Sequence, residues 1–317
     1  MLTPLNLKAL SQQPELFAPG HRMCTGCGAP IVVRMVMMAA QHPVVVANAT
    51  GCLEVSTSIA EYTSWKTPWI HSAFENAAST IAGVETMYRS LKKQGKISDD
   101  IRFIAFGGDG GTADIGFQSL SGAMERGHDI TYICYDNGAY MNTGIQRSSA
   151  TPFGADTTTC PVGSDNPGKL QQRKDLTRIM AAHDIPYAAQ ASPSHWQDLM
   201  RKVRKALDIR GPKFINIISP CNRGWRTQTN DAIQLSRLAV ETCYWPLYEI
   251  ENGTTTITVT PRAKRPLSDF LKPQGRFKHM FAPENAWMLE AAQKHVDAQW
   301  ERLQREQMLF VKPGTSE

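Results

Sequence analysis

Arg102-Phe-Ile-Ala-Phe-Gly-Gly-Asp-Gly-Gly-Thr-Ala113 is the stretch on which the fold turns. A compact apolar run, Arg102–Phe106, ends in a turn of four glycines around one aspartate. Apolar residues at helical spacing then run from Ala113 to Arg126. Such a stretch is a buried strand handing the chain to a helix at its carboxyl end. Val44–Val46, Ile130–Tyr135 and Phe214–Ile218 are runs of the same kind, bounded by Gly, Asn, Asp or Pro. Asn76–Lys93 and Trp196–Ile209 carry the helical spacing, and Asp175–His183 reads as a shorter helix. The alternation predicts an α/β fold, a largely parallel sheet with helices on both faces.

Composition agrees with that class. Hydrophobic residues at 42% and charged residues at 20% exclude a disordered or fibrous chain. At about 150 residues per domain, 317 residues allow two domains or one large domain with an extension. No apolar run approaches the ~18 residues of a membrane span, and Met1–Pro19 lacks a basic region followed by an apolar one. A soluble cytoplasmic protein is expected. Pro261–His279 holds six basic residues against one acid, which equals the whole net excess of +5. Without nucleic-acid motif chemistry around it, this stretch reads as a solvated or subunit-contacting tail. Thr254–Thr260 reads as one strand and Pro283–Gln307 as a last helix, wrapping a neighbouring surface rather than forming a second core.

Four distinctive segments each follow a strand: Asn48–Cys52, Gly107–Gly111, Asp136–Tyr140 and Ser219–Trp225. In an open parallel sheet the carboxyl ends of the strands share one edge, where ligands bind. The four segments therefore describe one site.

Glycines let backbone N–H groups approach a phosphate, and the helix that follows adds a favourable dipole. Gly107–Thr112 is neither a nicotinamide fingerprint nor a Walker loop. Asp109, the Asn137 side chain and the Ala139 carbonyl make an all-oxygen set suited to Mg2+. Gly-Asp-Gly followed by Asn after 26 residues, Gly110 to Asn137, is the spacing of the thiamine-diphosphate motif. Of the seven cysteines, Cys134 reads as a small buried hydrophobe. Cys24, Cys27, Cys52 and Cys221 sit in loop contexts beside Gly or Pro and form a four-thiolate set for zinc or an iron–sulfur cluster. Their dispersal along the chain favours a cluster assembled by the fold over a zinc knuckle.

These residues resemble the β subunit of pyruvate:ferredoxin oxidoreductase and its relatives among the 2-oxoacid:ferredoxin oxidoreductases. Pro19–Gly28, Asn48–Cys52, Pro68–Asn76, Gly108–Gly116 and Tyr135–Ser148 carry the likeness, which covers about Pro19 to Tyr248. The resemblance implies a thiamine-diphosphate-binding fold with one 4Fe–4S cluster held by Cys24, Cys27, Cys52 and Cys221. It implies Mg2+ on Asp109, Asn137 and the Ala139 carbonyl. Thr50, Gly51, Gly108, Gly110, Gly111, Thr112 and Thr143 would bind the cofactor. Phe74 resembles an aromatic beside the aminopyrimidine, and Asn142 an active-site residue at the reacting group. Glu54 and His71 could touch cofactor or substrate, or be satisfied polar groups. Residues 1–248 would be the cofactor- and cluster-binding domain, and 249–317 a subunit-contacting C-terminal extension.

The implied reaction is oxidative decarboxylation of a small 2-oxo acid, pyruvate by default, giving acetyl-CoA and carbon dioxide with electrons passed to ferredoxin. Implied partners are α, γ and ferredoxin-like δ subunits, one of them supplying the Glu that activates the cofactor. Two departures bear on this: Gly138 stands where related chains have Glu, and Asn222-Arg223 where they have Pro-Thr or Pro-Pro. The extra cation leaves oxalate, oxidised without coenzyme A, as an alternative substrate. A non-oxidative thiamine enzyme with structural zinc and a non-enzymatic zinc module are the other readings.

Overall fold

The structure, a computed structural model, describes residues 5–59 and 61–309. Among them the strands are β1 (Val44–Ala49), β2 (Trp69–Ser72), β3 (Arg102–Gly108), β4 (Thr131–Asp136), β5 (Tyr187–Ala191), β6 (Lys213–Ile218), β7 (Leu247–Glu251) and β8 (Thr254–Val259). They form one sheet in the order β2-β1-β3-β4-β6-β5-β7-β8. The first six are parallel; β7 runs antiparallel to β5, and β8 to β7. Strand alternation feeds two core layers, as a sheet covered on both faces requires. On β3, Phe103 and Ala105 pack against the helices Ala77–Lys93 and Phe117–Glu125. Ile104 and Phe106 face the helices Gly28–Ala39 and Trp196–Asp208. Met37 within Met35-Val-Met-Met38 is buried in that second layer, so the run is helix core.

The helix expected over Ala113–Arg126 is interrupted. Gly111–Ile115 forms a wide turn closed by Gly116 N–H donating to the Gly111 carbonyl at 2.7 Å, and the α-helix proper is Phe117–Glu125. A Cβ on Gly116 would lie 2.4 Å from that carbonyl oxygen, so the wide turn depends on the bare residue. Helix Trp196–Asp208 is anchored by buried Lys202. Its Nζ donates to Asp198 Oδ2 (2.7 Å), the Gln190 carbonyl (2.8 Å) and Thr258 Oγ1 (2.8 Å), tying the helix to β5 and β8. All three ammonium hydrogens are used. Lys202→Met leaves Asp198 buried without its cation, and we expect a loss of about 3–5 kcal/mol, read as a lowered unfolding midpoint that the added change Asp198→Leu partly restores.

The C-terminal segment joins the main core. The last helix, Ala286–Leu309, buries Met288, Ala292, Val296, Trp300 and Leu303 in the layer that also holds Phe270 and Phe277. The basic stretch departs from the expected solvated tail. Lys264 and Arg265 make surface ion pairs with Asp297 and Asp269, but Arg276 is 2% exposed and lies inside the molecule. Apolar Phe277 and Met280 beside it carry the segment inward. No helix among the described residues is long and apolar enough to cross a membrane.

Candidate functional site

The carboxyl ends of β1, β2, β3 and β4 meet as parallel pairing requires, and a narrow cleft of about 30 Å3 opens there. Thr50, Gly51 and Cys52 face it after β1, Phe74 after β2, Gly108, Gly110 and Gly111 after β3, and Asn137, Ala139, Asn142 and Thr143 after β4. Gly110 is fixed by its neighbour. A Cβ there would lie 2.5 Å from the Tyr140 ring, whose hydroxyl donates to the Gly110 carbonyl at 2.9 Å. Phe74 packs edge-on against Tyr140 with centroids 6.1 Å apart.

Asp109 lies fully buried behind the cleft. Its Oδ1 accepts from the N–H groups of Asn137 (3.2 Å) and Gly138 (3.1 Å), and its Oδ2 accepts from the Ser148 hydroxyl (2.5 Å). Burial, followed by the neighbouring Asp136 carboxylate, pushes Asp109 up to about 7. A divalent cation relieves such strain on a carboxylate. Thr112 is also buried. Its hydroxyl donates to the Gly108 carbonyl at 2.7 Å and meets Tyr132 Oη at 3.1 Å, so the side chain braces the turn from inside rather than facing the cleft. At the rim, Thr50 Oγ1 and His71 Nε2 are hydrogen-bonded at 2.8 Å, and His71 lies 3.9 Å from Glu54. Thr143 Oγ1 donates to Gln146 Oε1 at 2.5 Å and holds the following turn.

The four singled-out cysteines come together beside this cleft. Burial pushes the Cys27 thiol up to about 12, and the sulfurs of Cys221, Cys52 and Cys24 push it further. Cys52 is raised to about 11, by burial first and then by Cys221 and Cys24, while the polar Asn142 side chain beside it opposes that rise. The Cys221 sulfur accepts from Gly224 N–H at 3.3 Å and from Arg223 N–H; burial still raises it. Cys27, Cys52 and Cys221 thus resist ionisation partly because other sulfurs of the set are near. Among the described residues no three His, Cys, Asp or Glu side chains close up around a single-ion site.

Local packing explains the convergence. Gly28 N–H donates to the Pro220 carbonyl at 2.9 Å, fastening the Cys24–Cys27 loop to the Cys221 loop. Gly26 has φ +80°, and a Cβ there would fall 2.0 Å from the Thr229 carbonyl oxygen. Gly26→Ala combines a left-handed backbone with a backbone collision, and we expect a loss of at least about 2 kcal/mol, measured as a drop in the calorimetric unfolding midpoint. Cys134 and Cys243 are buried, and neither they nor Cys160 is among the groups that shift the thiols of Cys27, Cys52 and Cys221.

Sequence reasoning passed over three residues of the site. Tyr140 supports the glycine turn, as described. Trp225 Nε1–H donates to the Asn137 carbonyl at 2.6 Å, joining the Cys221 loop to the β4 loop. Arg276 stacks on the Trp225 ring at 4.3 Å. Tyr140 lay inside a segment already marked; the Arg276–Trp225 contact spans 51 positions and leaves no local signal. Arg223 is exposed and outside the cleft lining.

Known proteins share these features. The family model "Thiamine pyrophosphate enzyme, C-terminal TPP binding domain" matches residues 49–217. The chain is 53% identical over 310 residues to "Pyruvate synthase subunit PorB" of Thermotoga maritima, covering 95% of this chain and 96% of that one. It is 56% identical over 285 residues to the PorB of Methanocaldococcus jannaschii, covering 89% and 94%. This chain belongs to the β subunits of the 2-oxoacid:ferredoxin oxidoreductases. A third member, "Ketoisovalerate oxidoreductase subunit VorB" of Pyrococcus abyssi, is 43% identical over 293 residues, covering 92% and 93%. The solved 2-oxoglutarate:ferredoxin oxidoreductase of Magnetococcus marinus shares the fold, with TM-score 0.54 and 19% identity over 71% of this chain and 78% of that one. As a member of this family the β subunit is an oxidoreductase component acting on oxo groups and carries a thiamine-diphosphate site. It works within a multi-subunit complex with a ferredoxin-type acceptor, which sets aside a non-enzymatic zinc module.

Proposed function

We propose that this β subunit holds thiamine diphosphate, Mg2+ and one 4Fe–4S cluster in a complex that oxidises pyruvate to acetyl-CoA and carbon dioxide. The observation that carries the reading is Cys52: it lines the cofactor cleft beside Asn142 while belonging to the group of four cysteines. One residue thus touches both halves of the site. The donor chemistry fits both groups, with four sulfurs on one side and the oxygens of Asp109, Asn137 and Ala139 on the other. Pyruvate is favoured because PorB relatives match at 53% and 56%, although the VorB match at 43% shows the scaffold is shared.

Bound thiamine diphosphate supplies an electron sink for decarboxylation, and a cluster supplies one-electron acceptance. The chain's own residues bind and orient. Gly108, Gly110 and Gly111 offer backbone close enough for a diphosphate, at the start of the helical turn. Phe74 and Tyr140 form an aromatic wall. Thr50 and Gly51 close the side towards Cys52, and Thr143 holds the loop that presents Asn142. Exposed Arg223 lies outside the cleft, and no Lys or Arg stands among the described residues that line it, which favours a substrate with one carboxylate over oxalate with two. The activating Glu, the α and γ contacts and the ferredoxin-like δ subunit belong to partners; exposed Trp287 on the last helix marks segment 249–317 as one place to meet them. An oxygen-sensitive complex that reduces ferredoxin belongs in the cytoplasm.

The test is anaerobic purification of the whole complex. We expect a brown protein with broad absorption near ~400 nm and about four irons on this chain. Ferredoxin reduction should require pyruvate and coenzyme A together and be slower with oxalate or 2-oxoglutarate. A colourless chain with one zinc contradicts the cluster, and reduction by oxalate without coenzyme A contradicts the substrate.

A further inference from the structure

Arg276 and Lys169 are the two deeply buried cations that make no ion pair with a carboxylate among the described residues, and Arg276 is the one without backbone carbonyls to receive its side chain. Its side chain is buried, Nε donates to Gln274 Oε1 at 3.0 Å, and no carboxylate among the described residues pairs with it. The other deeply buried cations are provided for. Arg173 pairs with Asp136, Lys202 with Asp198 and Lys213 with Asp129, while Lys169 donates to the carbonyls of Thr151 and Gln172. An uncompensated guanidinium inside a protein is costly, and buried charges are ordinarily matched by an anion.

The surroundings show where that anion belongs. Arg276 stacks between Trp225 (4.3 Å) and Phe277 (4.9 Å). Trp225 ends the short helix Asn222–Trp225 that begins directly after Cys221, and its indole bonds the Asn137 carbonyl. On its other side, Nη1 lies 3.0 Å from where a Cβ on Gly138 would sit. Burial lowers Arg276 to about 10, with Tyr244 and then Cys221 opposing that fall. The guanidinium is therefore wedged behind the Cys221 loop.

We propose that Arg276 is the counter-charge of the four-thiol nest, and that it raises the reduction potential of the iron–sulfur group held there. Each electron the cluster accepts from its donor adds one unit of negative charge and breaks no bond. A fixed cation behind Cys221 stabilises the reduced form more than the oxidised one. Arg276 acts through space and is a positioning charge, touching neither substrate nor thiamine. The proposal rests on the cluster reading above.

The experiment is an anaerobic redox titration of the full complex, following the cluster by electron paramagnetic resonance, with iron and thiamine diphosphate measured per chain. Arg276→Gln is expected to keep its iron and titrate at a clearly more negative midpoint; Arg276→Lys, which keeps the charge, should stay near the parent value. Gln274→Glu places a carboxylate beside Nε, so it should shift the midpoint in the same direction as Arg276→Gln without deleting the guanidinium. An iron-loaded Arg276→Gln at the parent midpoint overturns the proposal, as does an Arg276→Lys shift equal to that of Arg276→Gln. If Arg276→Gln loads no iron, an unshifted Gln274→Glu overturns it instead. Parent complex without iron would overturn the cluster reading itself, a separate outcome.

Discussion

Cys221→Ser, prepared anaerobically in the full complex, is expected to lose ferredoxin reduction and to hold well under about four irons per β subunit. Cys221 stands at the head of a short helix, where the N–H groups of Arg223 and Gly224 point at its sulfur. Those donors stabilise a thiolate, the form a metal needs. A serine oxygen in the same place keeps the backbone contacts but is a far poorer ligand for iron. Cys134 and Cys243 are buried and are not among the groups that shift the thiols of Cys27, Cys52 and Cys221. Cys243→Ser is the matched control and should retain iron and activity. A Cys221→Ser complex with full iron and normal turnover would remove Cys221 from the nest.

Asp109→Asn should separate binding from stability. We expect thiamine diphosphate retention at fixed Mg2+ to fall by about 100-fold or more, measured by equilibrium dialysis, because the one carboxylate of the oxygen set is gone. The cofactor-free protein should nevertheless melt no lower. Burial and Asp136 raise Asp109 from its ordinary 3.8 to about 7. A carboxyl raised on folding contributes stability that is full below its unfolded value and is lost as pH rises through the folded one. Between about pH 4 and pH 7 the cofactor-free parent should therefore lose this contribution, and Asp109→Asn should flatten that part of its stability curve. Scanning calorimetry at several pH values reads both. Unchanged cofactor retention would contradict the assignment of Asp109 to the metal.

The sheet's centre was legible because β1, β3, β4 and β6 are β-branched apolar runs ending in Gly, Asn, Asp or Pro. β5 was not, since Tyr-Ala-Ala-Gln-Ala has no strand signature of its own; its neighbours β6 and β7 impose the conformation. The short edge strand β2 was readable only as part of a motif. β7, Leu-Tyr-Glu-Ile-Glu, does alternate, but it lies at the point where the extension was taken to start. The site's residues were largely visible, because they cluster after strands whose ends must coincide. Their supports were not. Gly28 on Pro220, Trp225 on Asn137 and Arg276 on Trp225 are contacts between distant segments, and charge patterning placed Arg276 in solvent when apolar neighbours draw it inside.

Diffraction from anaerobically grown crystals of the complex, collected on both sides of the iron absorption edge, tests the central claim most directly. The account predicts strong iron anomalous density bounded by the sulfurs of Cys24, Cys27, Cys52 and Cys221, next to Asn142 and the thiamine cleft. A single zinc peak there, or iron lying apart from those four residues, would contradict it.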